Sequence, residues 1–246
     1  DGRILRLGGR VVKNVAGFDL LKLMVGSRGS LGVITSLCVR AFPTPAVDHV
    51  LVRKGASLGD LTELAGLVGT APVMPASCVL LDRCEAFDDE PALVVRLHGA
   101  ERTVESDRRS LEGHAGVAFE TADLPDRLVD VMRDHAFDQP AVLEACALPS
   151  RLGEVLGALE ELQPAAVHVD GYGGRVRAGF PTFDTEAMED ACRTVERLGG
   201  STRLVRAASS ASLTALGSKP STDEVDLIRL LRASFDPEGV LWPAHR

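Results

Sequence analysis

Between residues 46 and about 207 the chain runs through the same order of elements twice, and this repetition limits the fold more than any other feature. Alternating and apolar runs predict strands over 47–53, 77–82, 92–97 and 117–121. Ser57 and Asp60 predict the start of a helix carrying Leu61, Leu64, Ala65 and Val68 on one side, and a polar helix is expected over 102–112. A linking helix with Leu128, Val131 and Met132 follows. The second round predicts strands over 141–147, 165–169, 175–179 and 202–206. Its first helix, capped by Ser150, repeats Leu152, Val155, Leu156, Leu159 and Leu162 at helical spacing; its second, over 185–198, stops at Gly199-Gly200. Both rounds read βαββαβ. That predicts an α+β fold with two ferredoxin-like units, their strands in antiparallel sheets covered by helices.

The flanks are organised differently. Residues 3–7 and 10–12 read as short strands around Gly8-Gly9, residues 19–24 as a compact helix, and 33–42 as a β-rich run closed by Pro43-Thr44-Pro45. At the other end Ser221 and Glu224 form a capping box for a helix with Val225, Ile228, Leu231 and Phe235 on one face. The turn Asp236-Pro237-Glu238-Gly239 then leads to Val240-Leu241-Trp242. These divisions give expected regions of 1–45, 46–220 and 221–246.

Charge separates the same regions. Residues 1–40 hold seven Lys or Arg against Asp1 and Asp19, in a chain whose net charge is −8. The one basic segment is therefore also the glycine-rich one, and an anionic ligand there is electrostatically reasonable. Aromatic residues make up 4% of the chain, too few for a surface that stacks bases, so no nucleic-acid partner is expected. No apolar run approaches the roughly 20 residues needed to cross a bilayer. Five cysteines without a CxxC pair read as reduced thiols packed as small core residues, which fits a cytoplasmic protein.

The stretch from Gly8 to Thr35, GGRVVKNVAGFDLLKLMVGSRGSLGVIT, carries most of the chemical information. Gly26, Gly29 and Gly32 can take positive φ or let backbone amides approach a ligand, and successive amides in such a loop form an anion-binding concavity. The spacing is not the dinucleotide fingerprint, because the loop leads into a β-rich run rather than a helix. On glycines alone a tight connection between strands is the favoured reading. As a whole, however, the segment resembles the second half of the FAD-binding domain of the vanillyl-alcohol oxidase type. Within that superfamily it is similar to the glycolate oxidase subunits, above all to the FAD-binding one, with Phe18 for a usual Tyr and Ser30 for a usual Thr. The closing Phe235-Asp236-Pro237-Glu238-Gly239-Val240-Leu241-Trp242-Pro243 resembles that family's C-terminal segment, with Trp242 in place of a common Asn and Ala244 in place of a Gly.

The resemblance implies FAD as cofactor, with Asn14 and Gly17 shaping a turn and Gly26, Gly29, Ser30, Leu31, Gly32 and Val33 wrapping part of it through backbone groups. It implies a partial flavin domain, a cap domain made of the doubled units, and a C-terminal helix returning to the flavin domain. Because Asp1-Gly2-Arg3 reads as a turn entering a strand in mid-domain, the first half of the flavin domain is expected to precede it. The implied activity is oxidation of a small 2-hydroxy acid such as glycolate or D-lactate. Its partners would be a flavin-bearing catalytic subunit and an iron–sulfur subunit, with only indirect membrane contact. No catalytic acid or base and no metal ligand is expected in this chain. A non-catalytic interaction subunit with a vestigial flavin segment is the alternative.

Other motifs have plainer readings. Gly171-Tyr172-Gly173-Gly174 lies between two predicted strands and reads as a hairpin turn. His98, His114, His135 and His168 lack an HxH or HxxxH pair and read as core or surface residues, while Glu85, Asp88, Asp89 and Glu90 read as a solvated acidic loop.

Overall fold

Eight strands pair into one antiparallel sheet in the computed structural model, which describes residues 2, 4–8, 20–27, 29–122, 127–182, 184–207 and 222–241. They are β1 (Val47–Lys54), β2 (Ser77–Asp82), β3 (Ala92–Gly99), β4 (Glu120–Ala122), β5 (Ala141–Cys146), β6 (Ala166–Asp170), β7 (Arg175–Phe180) and β8 (Ser201–Arg206). The helices are α1 (Leu20–Met24), α2 (Leu58–Thr70), α3 (Glu101–Ala115), α4 (Arg127–Asp134), α5 (Leu152–Glu160), α6 (Thr185–Arg197) and α7 (Thr222–Phe235). Three short 3₁₀ turns, Glu85–Phe87, His135–Asp138 and Pro149–Arg151, complete the described helical elements.

The spatial order β4-β1-β3-β2-β6-β7-β5-β8 gives each half the arrangement expected of βαββαβ. The two halves do not form separate sheets. They join through β2 and β6, the equivalent second strands, with Leu80 opposite Val169 and Leu81 opposite His168. Residues 78–82 of β2 are buried on both faces, and leaving that edge unpaired would bury or expose an unsatisfied row of amides and carbonyls. Edge pairing between the halves satisfies it.

One face of the sheet carries the main core. Leu51, Leu80, Leu93 and Val95 of the first half meet Leu61, Ala65 and Val68 of α2 and Val104 and Leu111 of α3. In the second half Leu143, Val167, Val176 and Ala178 meet Val155, Leu156 and Leu159 of α5 and Met188, Cys192 and Val195 of α6. All belong to one continuous apolar cluster. The opposite face of the first half has a smaller cluster, in which Val52, Val79, Leu81 and Val94 pack with Phe87 and with Met132 of α4.

Helix ends follow local chemistry. Ser57 Oγ accepts from the Asp60 amide at 3.2 Å, and Asp184 Oδ1 accepts from the amides of Glu186 at 3.1 Å and Ala187 at 3.3 Å. Ser150 does not cap α5 as expected. It sits inside the turn Pro149–Arg151, where Pro149 opens a 3₁₀ start that needs no side-chain acceptor. The strand expected over 117–121 is shifted to Glu120–Ala122, because α3 takes the preceding backbone: Arg108 Nη2 donates to the Phe119 carbonyl at 2.7 Å, and the Phe119 amide donates to Glu112 Oε1 at 3.0 Å.

The chain divides into two compact units, one of residues 44–218 and one made of residues 1–43 and 219–246. In the latter, neither residues 4–7 nor residues 33–42 form the strands expected of them. A strand is held by ladder partners and by burial of alternate side chains, and here Val33, Ile34, Leu37, Val39 and Phe42 are exposed. The expected strand 10–12 and the capping residue Ser221 lie outside the described residues. On α7, Val225, Ile228, Leu231 and Phe235 form a half-buried stripe while Leu227 and Leu230 are exposed, matching the amphipathic period. Among the described residues no helix is long and apolar enough to cross a membrane.

Candidate functional site

The glycine-rich segment leaves α1 through a compact turn. The Val25 amide donates to Leu21 O at 3.0 Å, the Ser27 amide to Met24 O at 3.2 Å, and the Ser30 amide to Ser27 O at 2.9 Å. Gly26 and Gly29 lie at φ +87° and +79°, in the left-handed region that costs an ordinary L-residue roughly 1–2 kcal/mol. Among the described residues, chain neighbours aside, no heavy atom lies within 4 Å of where a Cβ would stand at either glycine. The loop is anchored next to them. Ser30 is buried and its hydroxyl donates to Ser27 O at 2.7 Å, and Leu31 is buried as well. Gly32 has the Met24 sulfur 3.8 Å from its would-be Cβ, while Val33 is exposed. The structure therefore brings Gly26, Gly29, Ser30, Leu31 and Gly32 into one turn and leaves Val33 outside its packing. Asn14 and Gly17 lie outside the described residues.

A second concentration of polar groups, not singled out from the sequence, lies on the second half of the sheet, on the face opposite the main core. Glu144 of β5 keeps only 8% of its side chain exposed. Its Oε2 accepts from Arg177 Nε at 3.0 Å, its Oε1 accepts from Arg203 Nη2 at 2.6 Å, and Arg175 Nε stands 3.7 Å from Oε2. Arg177 is also placed against the Phe137 ring, 4.8 Å from its centre. His168, directly across from Arg177 in the β6–β7 register, is buried, and its Nδ1 has no hydrogen-bond partner. Burial, assisted by the charge of Arg177, depresses its pKa to about 4. The sequence signal for this cluster was a charged residue inside the apolar strand Val142-Leu143-Glu144-Ala145, with Arg175 and Arg177 at strand spacing on its neighbour.

The remaining motifs resolve into structure. Gly171-Tyr172-Gly173-Gly174 is the β6–β7 hairpin turn: Asp170 Oδ1 accepts from the Tyr172 and Gly173 amides at 3.1 and 2.9 Å. Gly174 has φ +61°, and a Cβ there would come within 2.0 Å of the Ala147 carbonyl oxygen. His168 is the core histidine the sequence allowed. In the acidic loop, Lys54 Nζ reaches Asp88 at 2.6 Å and Glu90 at 3.1 Å. All five cysteines are free, and Cys78, Cys84 and Cys192 are buried as expected, whereas Cys38 is exposed because its run forms no strand. Burial pushes the Cys78 thiol up to about 12, with Asp170 adding to the effect, which makes it unreactive. Among the described residues no group of His, Cys, Asp and Glu could hold a metal ion.

No protein-family profile matches the chain. Single relatives do. Glycolate oxidase subunit GlcD of Bacillus subtilis is 24% identical over 99% of this chain and 60% of its own length. Glycolate oxidase subunit GlcE of Escherichia coli is 38% identical over 46% of this chain and 29% of its own length. The chain is thus similar to FAD-linked oxidases of the glycolate oxidase GlcD/GlcE type. It spans about 60% of the length of the GlcD relative and a smaller part of GlcE. A D-lactate dehydrogenase of Archaeoglobus fulgidus adds a short match, 54% identical over 43 residues. Among solved structures, an alkyldihydroxyacetonephosphate synthase superposes with a TM-score of 0.59 over 96% of this chain and 50% of its own, at 14% identity. That likeness establishes the fold alone: the chain contains the eight-stranded antiparallel sheet in an arrangement resembling part of that synthase.

Proposed function

We propose that this chain is the FAD-binding component of a flavin-dependent oxidoreductase that oxidises small 2-hydroxy acids such as glycolate or D-lactate. The observation that carries the reading is the turn at Gly26 and Gly29, two positive-φ glycines with no described heavy atom other than chain neighbours within 4 Å of where a Cβ would stand, in a chain related to FAD-linked oxidoreductases. Glycines in that conformation let amides approach a phosphate or ring system closely, and the buried Ser30 and Leu31 fix the turn from below. Asn14, Gly17, Gly26, Gly29, Ser30, Leu31, Gly32 and Val33 would hold part of the cofactor, through backbone groups for the most part. Bound FAD would supply the redox chemistry, taking up the hydride equivalent from the hydroxyl-bearing carbon. The protein's share is orientation and electrostatics.

In this reading residues 1–45 are the C-terminal part of a flavin domain, 46–220 the cap, and 221–246 a helix and tail that pack on the flavin domain. The stripe of Val225, Ile228, Leu231 and Phe235 supports that placement, because an isolated terminal helix gains little without an apolar partner. Two relatives are named as subunits, which supports association with a flavin-bearing catalytic subunit and an iron–sulfur subunit. The test is the visible spectrum of the complete gene product after gel filtration. A flavin band that persists in the wild type and is lost in Gly29→Val is expected. A colourless complete product would favour an interaction subunit with a vestigial flavin segment.

A further inference from the structure

We infer that the arginine cluster around Glu144 is a binding site for a small carboxylate anion. A strand-borne glutamate at this depth needs cationic partners, and Arg177 and Arg203 already occupy both of its oxygens. Arg175 is in excess of that need, its side chain also meeting the Cys146 side chain. Its nearest approach to Glu144 is 3.7 Å, and its side chain is 46% exposed. The Arg203 side chain is likewise 45% exposed, whereas that of Arg177 is 18% exposed. Each guanidinium carries five donors in a planar fork, so most of the N–H groups on this surface are not used by Glu144.

The charge balance points the same way. Asp170, opposite Arg175 and raising its pKa through charge, adds one carboxylate beside Glu144, and Asp134 is paired with Arg133. Arg206 also lies at this edge, its guanidinium donating to the Phe137 carbonyl. Cations therefore outnumber carboxylates. Glu144 is a positioning residue: buried and bonded to two arginines from different strands, it fixes their forks while their outer edges stay in solvent. His168 adds a buried Nδ1 without a partner on the same face, next to Arg177. Paired guanidinium edges grip a planar carboxylate through parallel N–H···O bonds, which chloride cannot match; phosphate can, and the choice of carboxylate over phosphate rests on the proposed function. That the bound carboxylate is the acid end of a 2-hydroxy acid rests on the proposed function; the site itself does not.

The experiment is titration calorimetry of the full chain with oxalate and with glycolate at constant ionic strength, using inorganic phosphate and chloride as comparison anions. Saturable oxalate binding is expected, at least ten-fold weaker in Arg175→Gln, which leaves both bonded partners of Glu144 in place, and unchanged in Arg193→Gln on α6. Arg203→Lys, which keeps the charge and loses the fork, should weaken binding several-fold. Circular dichroism melts identify any variant that fails to fold, and Arg175→Gln remains decisive if Arg203→Lys does so. Absence of saturable binding, or equal binding in Arg175→Gln, would overturn the site. Phosphate binding as tight as oxalate would overturn its assignment to carboxylates. Because the titration uses no flavin, oxalate binding by this chain together with a colourless complete gene product would refute the proposed function alone.

Discussion

The two halves of the sheet have the same strand order and opposite outer faces. Beyond the core-bearing side, the first half presents Val52, Val79, Leu81 and Val94 and covers them with α4 and Phe87. At the corresponding place the second half presents Glu144, His168, Arg175, Arg177 and Arg203, with the arginines reaching solvent. The register sets Leu81 directly opposite His168, so the change from apolar to polar occurs within a single strand pair. What the comparison teaches is that topology and surface chemistry are specified separately. The inward residues of each strand are interchangeable between halves, since any close-packed apolar set will do, whereas the outward residues decide what each half can bind.

The largest test attacks the seam. Leu80 is fully buried and lies opposite Val169 across the junction. Leu80→Ala is expected to destabilise the protein by about 3 kcal/mol through lost burial and a residual cavity. Because the core is continuous across both halves, hydrogen exchange should speed up in β5 and β7 as well as in β1 and β3. Faster exchange confined to the first half would show that the two halves are independent cooperative units.

A smaller effect comes from His168, the buried titratable group that stands opposite Leu81 across the seam. The folded-state pKa of His168 is depressed from an ordinary 6.5 to about 4, so the unfolded chain binds the proton more readily between those values. Its neutral form contributes stability that is present above about pH 6.5 and lost as pH falls toward 4, amounting to roughly 2–3 kcal/mol. Urea unfolding at pH 7.5, 5.5 and 4.5 measures this against the other titrations. His168→Leu, which copies the first half's Leu81, should flatten the slope in that window. An unchanged slope in the variant would assign the acid sensitivity elsewhere.

The smallest test asks whether the halves are alike at their helix starts. Ser57→Ala and Asp184→Ala each remove a side-chain acceptor from a first-turn amide, and each should lower stability by about 1 kcal/mol in thermal melts. Asp184 serves two amides and Ser57 one, so the Asp184 variant should lose slightly more. The reverse order would indicate that the extra bond in the second half adds nothing.

Much of this organisation was legible in the chain itself. Residues 77–82 formed a strand with the anticipated bounds, and Leu152, Val155, Leu156 and Leu159 all turned inward. Three expectations failed because a local signal does not fix what stands beside it. Residues 33–42 have strand-like composition, but a strand also needs a neighbour to complete its ladder, and composition does not supply one. Ser150 is a good cap by type, and Pro149 beside it selected another start. The 117–121 strand began late because Arg108 and Glu112 reached its first backbone groups before the ladder did.

The candidate sites were legible to different degrees. Gly26 and Gly29 stood out because glycine declares a backbone freedom in its own identity, and both adopt positive φ. The Glu144 cluster did not, because its members come from β5, β7 and β8 and are scattered along the chain; Glu144 to Arg203 alone is a separation of 59. Periodicity, caps and glycines are local signals, so the sequence by itself determined the doubled βαββαβ order, the inward face of each helix and the turn at Gly26–Gly29. Which strands become neighbours depends on long-range pairing, where one edge strand finds another of equal apolar character. Only the tertiary structure could therefore decide that β2 meets β6 in a single sheet, and that an isolated glutamate in an apolar strand lies beneath three arginines.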